Sequence, residues 1–505
     1  MSKTSNVDQV ILIILDDIRS SLLFDLMEKR KLPNLSQLAK SGINSRNCIT
    51  SYPSITFPCY SNIVIGAYSG YFPKEGSAVP LYHWLNRKDP PSTDSKWPFY
   101  RNYGGGIDLL RINKDIGKNV KTIYEQAGKG NFLSATSFLH RGSYFALSQN
   151  YYDVQPIFQN IEIAYRNPST FFQERNVPII TVGYIPHTDD IMHMKGFDHL
   201  EYINLIIECD KYLGSLIKTL KDTGYYNSTA IAIITDHGNY RAENVIDLAP
   251  FFHQNRLIPY NPKDGSGDFD LNAGSMCFFN FQGDNWHYHP YVKQLENYKI
   301  SGKGGTKINL FETLWKIPGA KLMYYRDDNN KADKGMIHLL MKSDKTKSLS
   351  KATIEYEGFG KEQKTKYRYN NKDVFNYDDN IEQNKAYTID QWLKLTNHLD
   401  FPLVVDQIPR YFKNPRSCDI IISTLGSHVF HYEHGETKSQ SLFSHDIGLR
   451  NSMVVPFIIG GSSNIPSLNL PYCKTTDMVP TLLDLLGIKP DKSVVGESVL
   501  KYKID

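Results

Sequence analysis

Five places in the chain pair metal-ligating or nucleophilic side chains with the end of an apolar run: Asp16, Thr56, Asp189 with His193, Asp236 with His237, and His445. Together they offer three carboxylates, three imidazoles and one hydroxyl. Two zinc-like divalent ions with nitrogen and oxygen ligands need about three protein ligands each, plus a position left open for substrate. The inventory meets that need. Asp189 and His193 stand at i and i+4, so on a helix they share one face and can chelate one ion. Asp236 and His237 are adjacent, and in a regular strand their side chains would diverge; in the turn after one, where Gly238 relaxes the backbone, they can converge. Thr56 precedes Phe57-Pro58, and Tyr60, Ile63, Val64 and Ile65 suit a helix, which puts the hydroxyl at a helix N-terminus, a place that favours phosphate. A threonine hydroxyl is a poor nucleophile at neutral pH, and a metal ion is one of the few ways to activate it. Taken singly, each residue has an ordinary structural reading, Asp16 as a turn residue, Asp-x-x-x-His as a solvated helix face, Thr56 as an N-cap. What sets them apart is their recurrence at strand ends.

The elements that must position these residues are legible as apolar runs. VILIIL (10–15) is continuous and β-rich, which suits a strand buried on both faces of a parallel sheet. Residues 179–185, TAIAII (229–234), 419–423 and VVPFIIGG (454–461) read as further strands of that sheet. Between them, Pro33 to Gly42 reads as a short amphipathic helix. Asp198 to Leu220 carries apolar residues at three- and four-residue steps until Gly224 ends the pattern. Strands alternating with helices, each strand closing on polar residues, predict an open α/β sheet whose ligand site lies outside the carboxyl ends of the strands. From about 266 to 399 the rhythm changes to Gly-rich, Lys/Asn-rich and Tyr-rich polar segments, read as an inserted cap of short strands.

Composition narrows the class. Lys+Arg 57 against Asp+Glu 53 is too near balance for a protein that holds a nucleic-acid scaffold by neutralising phosphates. The longest early apolar run is six residues, short of a membrane span or a signal-peptide core, and the six cysteines form no CxxC pair. A cytoplasmic chain with no membrane partner is the expectation. Oligomeric state leaves no mark in the sequence.

Read together, these segments resemble the alkaline phosphatase superfamily, in its type I phosphodiesterase/nucleotide pyrophosphatase branch. The similarity runs through Ile11–Arg19, Leu32–Gly42, Tyr52–Tyr68, Tyr184–Gly196, Cys209–Asn239, Ser444–Gly461 and the closing Thr475–Gly487. The resemblance implies a three-layer α/β/α sandwich with a mostly parallel central sheet and a smaller inserted α+β cap. By it, Asp16 in Asp16-Asp17-Ile18-Arg19 matches the first metal aspartate of D-G-x-R, and Thr56 matches the nucleophile of T-F-P-N. Asp189 and His193 match D-x-x-G-H, Asp236-His237-Gly238 matches the D-H-G segment, and His445 matches the last metal histidine. One ion would be held by Asp189, His193 and His445, the other by Asp16, Asp236 and His237, with Thr56 between them and the substrate. Zinc is the expected metal and manganese the second choice. His428, His431 and His434 lie upstream of His445, and any of them could take its place.

Four residues depart from the family pattern: Asp17 and Asp446 replace glycines, Met192 stands where the family has Gly, and Cys59 replaces the Asn that would hold a phosphate oxygen. Asn62, a turn further on, is a candidate substitute for that Asn, and His187 a candidate pocket residue. The implied reaction is two in-line displacements at phosphorus through a covalent phospho-threonine, on a small phosphate-ester or nucleotide substrate, cleaving phosphodiester or nucleotide pyrophosphate bonds. Phosphomonoester or phosphonate hydrolysis on the same site is the alternative, and a non-catalytic binding protein on this fold a further one. Because the ligands come from residues 16–237 and again from 445, the chain is expected to form one discontinuous catalytic core, 1–265 with 400–505, and one insertion, 266–399.

Overall fold

The computed structural model describes residues 7–72, 76–87, 100–104, 106–148, 153–302, 305–342, 349–377, 380–432 and 441–502. Its centre is the strand Gln9–Leu15, every residue of which is buried, as expected for an apolar run with helices on both sides. This strand pairs in parallel with Thr229–Thr235 on one side and Ile180–Ile185 on the other. Outward from Ile180–Ile185 the sheet continues in parallel through Phe132–Ala135 and Tyr144–Ala146. On the other side, Val454–Gly461 runs antiparallel to Thr229–Thr235, and Ile43–Ile49 antiparallel to Val454–Gly461.

Successive side chains of these strands point to opposite faces, which divides the interior into two apolar layers. Ile11, Ile13, Ile231 and Ile233 pack with the helices Ser20–Glu28, Pro33–Ser41, Val154–Arg166 and Leu200–Asp222. Val10, Leu12, Ala230 and Ala232 face the other way, toward Thr56–Ile65 and Met478–Leu485. The result is the expected α/β/α sandwich. Gly183 lies opposite Ile13, and a Cβ there would come within 3.1 Å of the Ile13 side chain.

Register gathers the chemistry. Leu15 is level with both Thr235 and Ile185, so Asp16, Asp236 and the segment leading into the helix His187–Lys195 leave the sheet at one edge. Val454–Gly461 runs the opposite way, so its beginning lies at that edge and the loop carrying His445 arrives there. Ile43–Ile49 reverses direction again, so its end, and the Thr50–Ile55 loop leading to Thr56, return to the same place.

A second sheet of eight strands, antiparallel at every pairing, runs in the order Phe269–Ala273, Met276–Phe281, Ile420–Ser423, Leu322–Arg326, Lys334–Lys342, Leu349–Glu357, Lys364–Asn370, Ala386–Thr388. Two expectations are corrected here. The 419–423 run belongs to this sheet and not to the central one, since a four-residue apolar strand carries no period that says which sheet it joins. The strands within 266–399 are not all short: Lys334–Lys342 and Leu349–Glu357 are nine residues each, their polar residues occupying the outward positions of an alternating pattern. One face of the sheet, through Phe278, Tyr324 and Ile421, joins the apolar layer beneath the central sheet. Asp419 anchors the borrowed strand, accepting hydrogen bonds from Arg87 at 2.9 Å and the Phe281 amide at 2.7 Å.

Ile13 is fully buried in the central strand, so Ile13→Ala is expected to lower unfolding free energy by about 2–5 kcal/mol in urea titrations. A loss below about 0.5 kcal/mol, the range of surface substitutions, would contradict its central place.

Candidate active site

Each of the three carboxylates has a buried oxygen without a hydrogen-bond donor, and in Asp16 and Asp236 the other oxygen is paired by the protein. Asp16 Oδ2 accepts from the Tyr184 hydroxyl, and Asp236 Oδ1 accepts from the amides of Asp17 at 3.1 Å and His237 at 2.9 Å. Asp16 Oδ1, Asp236 Oδ2 and Asp189 Oδ1 are buried without a hydrogen-bond donor. Such orphaned acceptors are uncommon in folded proteins and ask for a partner. Burial, followed by the Asp236 and Asp189 charges, pushes the Asp16 carboxyl well above its usual range, and burial raises Asp236 as well.

The imidazoles are arranged to complement this. His193 Nδ1 donates to the Phe443 carbonyl at 3.0 Å and His445 Nδ1 to the Ser54 carbonyl at 2.7 Å. With those protons committed to the backbone, both Nε2 lone pairs turn inward and stand 3.2 Å apart. Asp189 Oδ1 lies 3.2 Å from His193 Nε2 and 3.9 Å from His445 Nε2. Two facing lone pairs beside a carboxylate repel unless a cation or proton sits among them. Burial opposes charge on His193, but Asp189 prevails and carries its imidazole up to about 9. Burial and the neighbouring His237 and His193 hold His445 low.

The second group is deeper. His237 Nε2 lies 3.4 Å from Asp16 Oδ1, 3.7 Å from Asp236 Oδ2 and 3.1 Å from Thr56 Oγ1. The His237 ring stacks on that of His445 at 3.9 Å between centroids, which brings the two groups side by side. Within each group, Asp189/His193/His445 and Asp16/Asp236/His237, the donor atoms lie within 4.8 Å of one another. Oxygen and nitrogen donors, orphaned carboxylate oxygens and fixed tautomers fit a divalent cation in each.

Local sequence explains each placement. Thr56 is the first residue of the helix Thr56–Ile65, after the extended Ile55. Asp189 and His193 lie on the helix His187–Lys195 as their spacing predicts. The loops are tied to one another: Ser54 Oγ donates to the His445 carbonyl at 2.6 Å, and Thr50 Oγ1 to the Asp236 carbonyl. Asp17 takes a left-handed φ of 52°, a conformation that Gly adopts freely and Asp tolerates, which explains why the position can hold either. Its carboxylate accepts from Asn239 at 2.8 Å and faces His237 Nδ1 at 3.6 Å, so it orients the imidazole that Asp16 and Asp236 flank. Asp446 accepts from the amides of Ser275 and Met276 at 3.1 and 3.0 Å, fastening the His445 loop to the second sheet; burial carries its carboxyl up to about 6.

The three substrate-binding candidates do not face this centre. Cys59 is fully buried, with Sγ against the Ser51 and Pro53 carbonyls at 3.4 and 3.6 Å, because the loop before the helix folds back over its first turn. Asn62, six residues beyond Thr56 and so roughly 240° round the helix, donates to Ser51 Oγ at 3.0 Å. His187 begins the helix two residues before Asp189, on the opposite face, and lines a different cavity with Asp153 and His199. Of the alternative ligands, His428 pairs with Ser427 at 2.8 Å, His431 lies on a cavity wall, and His434 is outside the described residues.

Thr56, Asp189, His193 and His445 open into a cavity of about 780 Å³ between the two sheets. Its walls include Tyr82, His83, Tyr100 and Asn102 on one side and Asn272, Phe430 and Tyr432 on the other. None of these was legible as a site residue, since they come from loops and edge strands that converge only in three dimensions.

The family model of type I phosphodiesterase/nucleotide pyrophosphatase matches residues 10–297, more than half of the chain. Among curated relatives, an uncharacterized pyrophosphatase/phosphodiesterase of Schizosaccharomyces pombe is 27% identical over 239 residues, 45% of this chain and 44% of that protein. The rat ectonucleotide pyrophosphatase/phosphodiesterase family member 7 is 20% identical over 230 residues, 43% and 49% of the two chains. A bis(5′-adenosyl)-triphosphatase of Mus musculus is 21% identical over 244 residues, 47% and 48%. The matches thus span about half the length of these relatives. In fold, human ectonucleotide pyrophosphatase/phosphodiesterase 5 superposes with a TM-score of 0.57 over 96% of both chains at 14% identity. An inactive variant of the murine protein in complex with AMP superposes with a TM-score of 0.54 over 98% of both at 13%. The chain belongs to the type I phosphodiesterase/nucleotide pyrophosphatase family.

Proposed function

We propose that this protein hydrolyses phosphodiester or nucleotide pyrophosphate bonds, with Thr56 as nucleophile between two divalent cations. The observation that carries the proposal is the Thr56 hydroxyl at a helix N-terminus, 3.1 Å from His237 Nε2 and beside two groups of orphaned donors. Asp189, His193 and His445 would hold one ion, and Asp16, Asp236 and His237 the other; zinc suits this nitrogen and oxygen set, with manganese second. When bound, such ions supply Lewis-acid stabilisation of charge on the reacting oxygens and favour the ionised hydroxyl.

The residues perform the rest. Thr56 Oγ releases its proton to solvent and attacks phosphorus in line with the ester bond opposite, forming an Oγ–P bond as the P–O bond to the leaving group breaks. The leaving oxygen departs with its electron pair and takes a proton from solvent. Water then attacks the phospho-threonine in line, its oxygen bonding phosphorus as the Oγ–P bond breaks; the water gives up a proton to solvent and the departing Thr56 oxygen takes one, restoring the hydroxyl. Pro58 has no N–H and the Cys59 amide donates to the Ile55 carbonyl at 3.0 Å, so the Thr56 and Phe57 amides are the first-turn donors that would meet the phosphoryl oxygens. Tyr184 and Asp17 keep Asp16 and His237 oriented. A solved neighbour supports the assignment: it was rendered inactive by a threonine-to-alanine change and holds AMP. We take a small nucleotide or phosphate ester as substrate, and propose a cytoplasmic setting on the six buried free cysteines. No helix among the described residues is long and apolar enough to cross a membrane.

Thr56→Ala is expected to lower turnover of bis(p-nitrophenyl) phosphate by at least about 1,000-fold while leaving bound metal unchanged, as the loss of a covalent nucleophile does. Retained activity would overturn the nucleophile. In parallel assays the diester is expected to be cleaved with a kcat/KM at least about tenfold above that for p-nitrophenyl phosphate. The reverse preference would favour a phosphomonoesterase on the same site.

A further inference from the structure

The three imidazoles of the two donor groups are not held alike. His193 and His445 each commit Nδ1 to a neutral backbone carbonyl, that of Phe443 at 3.0 Å and that of Ser54 at 2.7 Å. His237 Nδ1 meets the Gly238 carbonyl at 3.3 Å and, beside it, a carboxylate oxygen, Asp17 Oδ1, at 3.6 Å. A negative charge behind a ligating imidazole favours the tautomer that leaves Nε2 free and makes that nitrogen the stronger donor. Asp17 itself stands outside the deeper group of ligands, which is Asp16, Asp236 and His237.

A chain of contacts fixes that carboxylate in place. Asp17 Oδ1 accepts from Asn239 Nδ2 at 2.8 Å, and Asn239 accepts from Arg19 Nε through its carbonyl at 2.6 Å and its Oδ1 at 2.8 Å. The Arg19 guanidinium lies over the Phe197 ring, 3.7 Å from its centroid, and the Tyr202 hydroxyl donates to the Asp17 carbonyl. The Asp17 amide donates to Asp236 Oδ1 at 3.1 Å, so residue 17 touches the deeper group through backbone as well as side chain. Asp16, Asp17 and Asp236 are each at most 2% exposed, and Asp17 Oδ2 is buried without a donor. A third carboxylate crowded against two others destabilises the empty protein and is offset only by positive charge. Glycine would satisfy the left-handed turn without that cost.

We propose that Asp17 is a positioning residue for the deeper cation: its charge, set behind His237 by Asn239 and Arg19, raises the affinity of the Asp16/Asp236/His237 group for a divalent ion and leaves the Asp189/His193/His445 group unaffected. The proposal rests on the two-cation reading above and goes beyond it, giving a role to a carboxylate that stands where the family pattern has glycine.

Zinc affinity of the full chain, measured by competition with a chromophoric chelator, tests this with Asp17→Asn. Asparagine keeps the size of the side chain, an acceptor oxygen for Asn239 and tolerance of the left-handed turn, and removes only the charge. One of the two bound zinc ions is expected to weaken by about 10- to 100-fold, the usual consequence of losing an outer carboxylate, and the other to keep its affinity. In the Asp189→Asn background, where the deeper group alone is left, the same loss should fall on the remaining ion. A change below about twofold, or an equal weakening of both ions, would overturn the proposal and leave the two-cation reading standing. An unsubstituted chain that binds no zinc would overturn that reading, and the proposal with it. Unfolding temperature supplies a readout that a merely structural role would not give. Without metal, Asp17→Asn should unfold at or above the temperature of the unsubstituted chain, because a repelling charge is gone; with zinc it should unfold below it, because the ion is bound less tightly. A variant that loses the same number of degrees with and without zinc would contradict the proposal and place Asp17 in the service of the fold alone.

Discussion

Three carboxylates set side by side, two of them fully buried and each with a buried oxygen left unpaired, are the constraint on which the rest of this fold depends. Asp16, Asp236 and Asp189 converge because Gln9–Leu15, Thr229–Thr235 and Ile180–Ile185 are parallel neighbours in matched register. A one-residue slip in either pairing would turn Asp16 or Asp236 to the other face of the sheet. Asp16 and Asp236 repel, and burial already disfavours their ionised forms, whereas the facing His193 and His445 hold Asp189 well below the usual carboxylate range. Such a cluster stays ionised only with compensating positive charge. Its imidazoles are tied through Nδ1 to backbone carbonyls or held against Asp17, so that their Nε2 atoms point inward as lone-pair donors. The arrangement is the one expected of a site built around cations, and it is costly in any other role.

The second sheet is part of the same solution. Asp446 accepts from two of its amides, so the loop that carries His445 is held between the central sheet and the second one. The hairpin His83–Leu85/Tyr100–Asn102 is fastened to the edge strand Phe269–Ala273 through His83 and Asp270. These links close the cavity on two sides while leaving Thr56 at its floor. The walls come from segments far apart in sequence, which allows the substrate-facing surface to vary while the strand ends that hold the donors stay fixed.

How much of this was legible in the sequence follows from the physics of each element. A strand buried on both faces is a continuous apolar run, so Val10 to Leu15 and Thr229 to Ile234 were readable, and with them the positions of Asp16 and Asp236. Helical spacing placed Asp189 and His193 together. The run at 420–423 was visible as a strand but not assignable to a sheet, because four apolar residues contain no record of their neighbours. Cys59 stands at the family's Asn position, while Asn62 and His187 are candidates only by nearness in sequence to it and to Asp189, and nearness does not specify the face of a helix. Tyr100, Asn272 and Asp270 left no local pattern at all. Asp17 and Asp446 looked like departures from a family motif and prove to be supports, one in a left-handed turn and one between two sheets.

The central claim is that the buried carboxylates and imidazoles form two cation sites, and metal stoichiometry tests it most directly. The full chain, stripped by chelator and titrated with zinc, should take up two equivalents and gain thermal stability as it does so, because an ion bound only by the folded state stabilises it by mass action. Replacing Asp189 by Asn should remove one equivalent and leave the other. A chain that stays folded in chelator, binds no zinc and shows the same unfolding temperature with and without it would contradict the account.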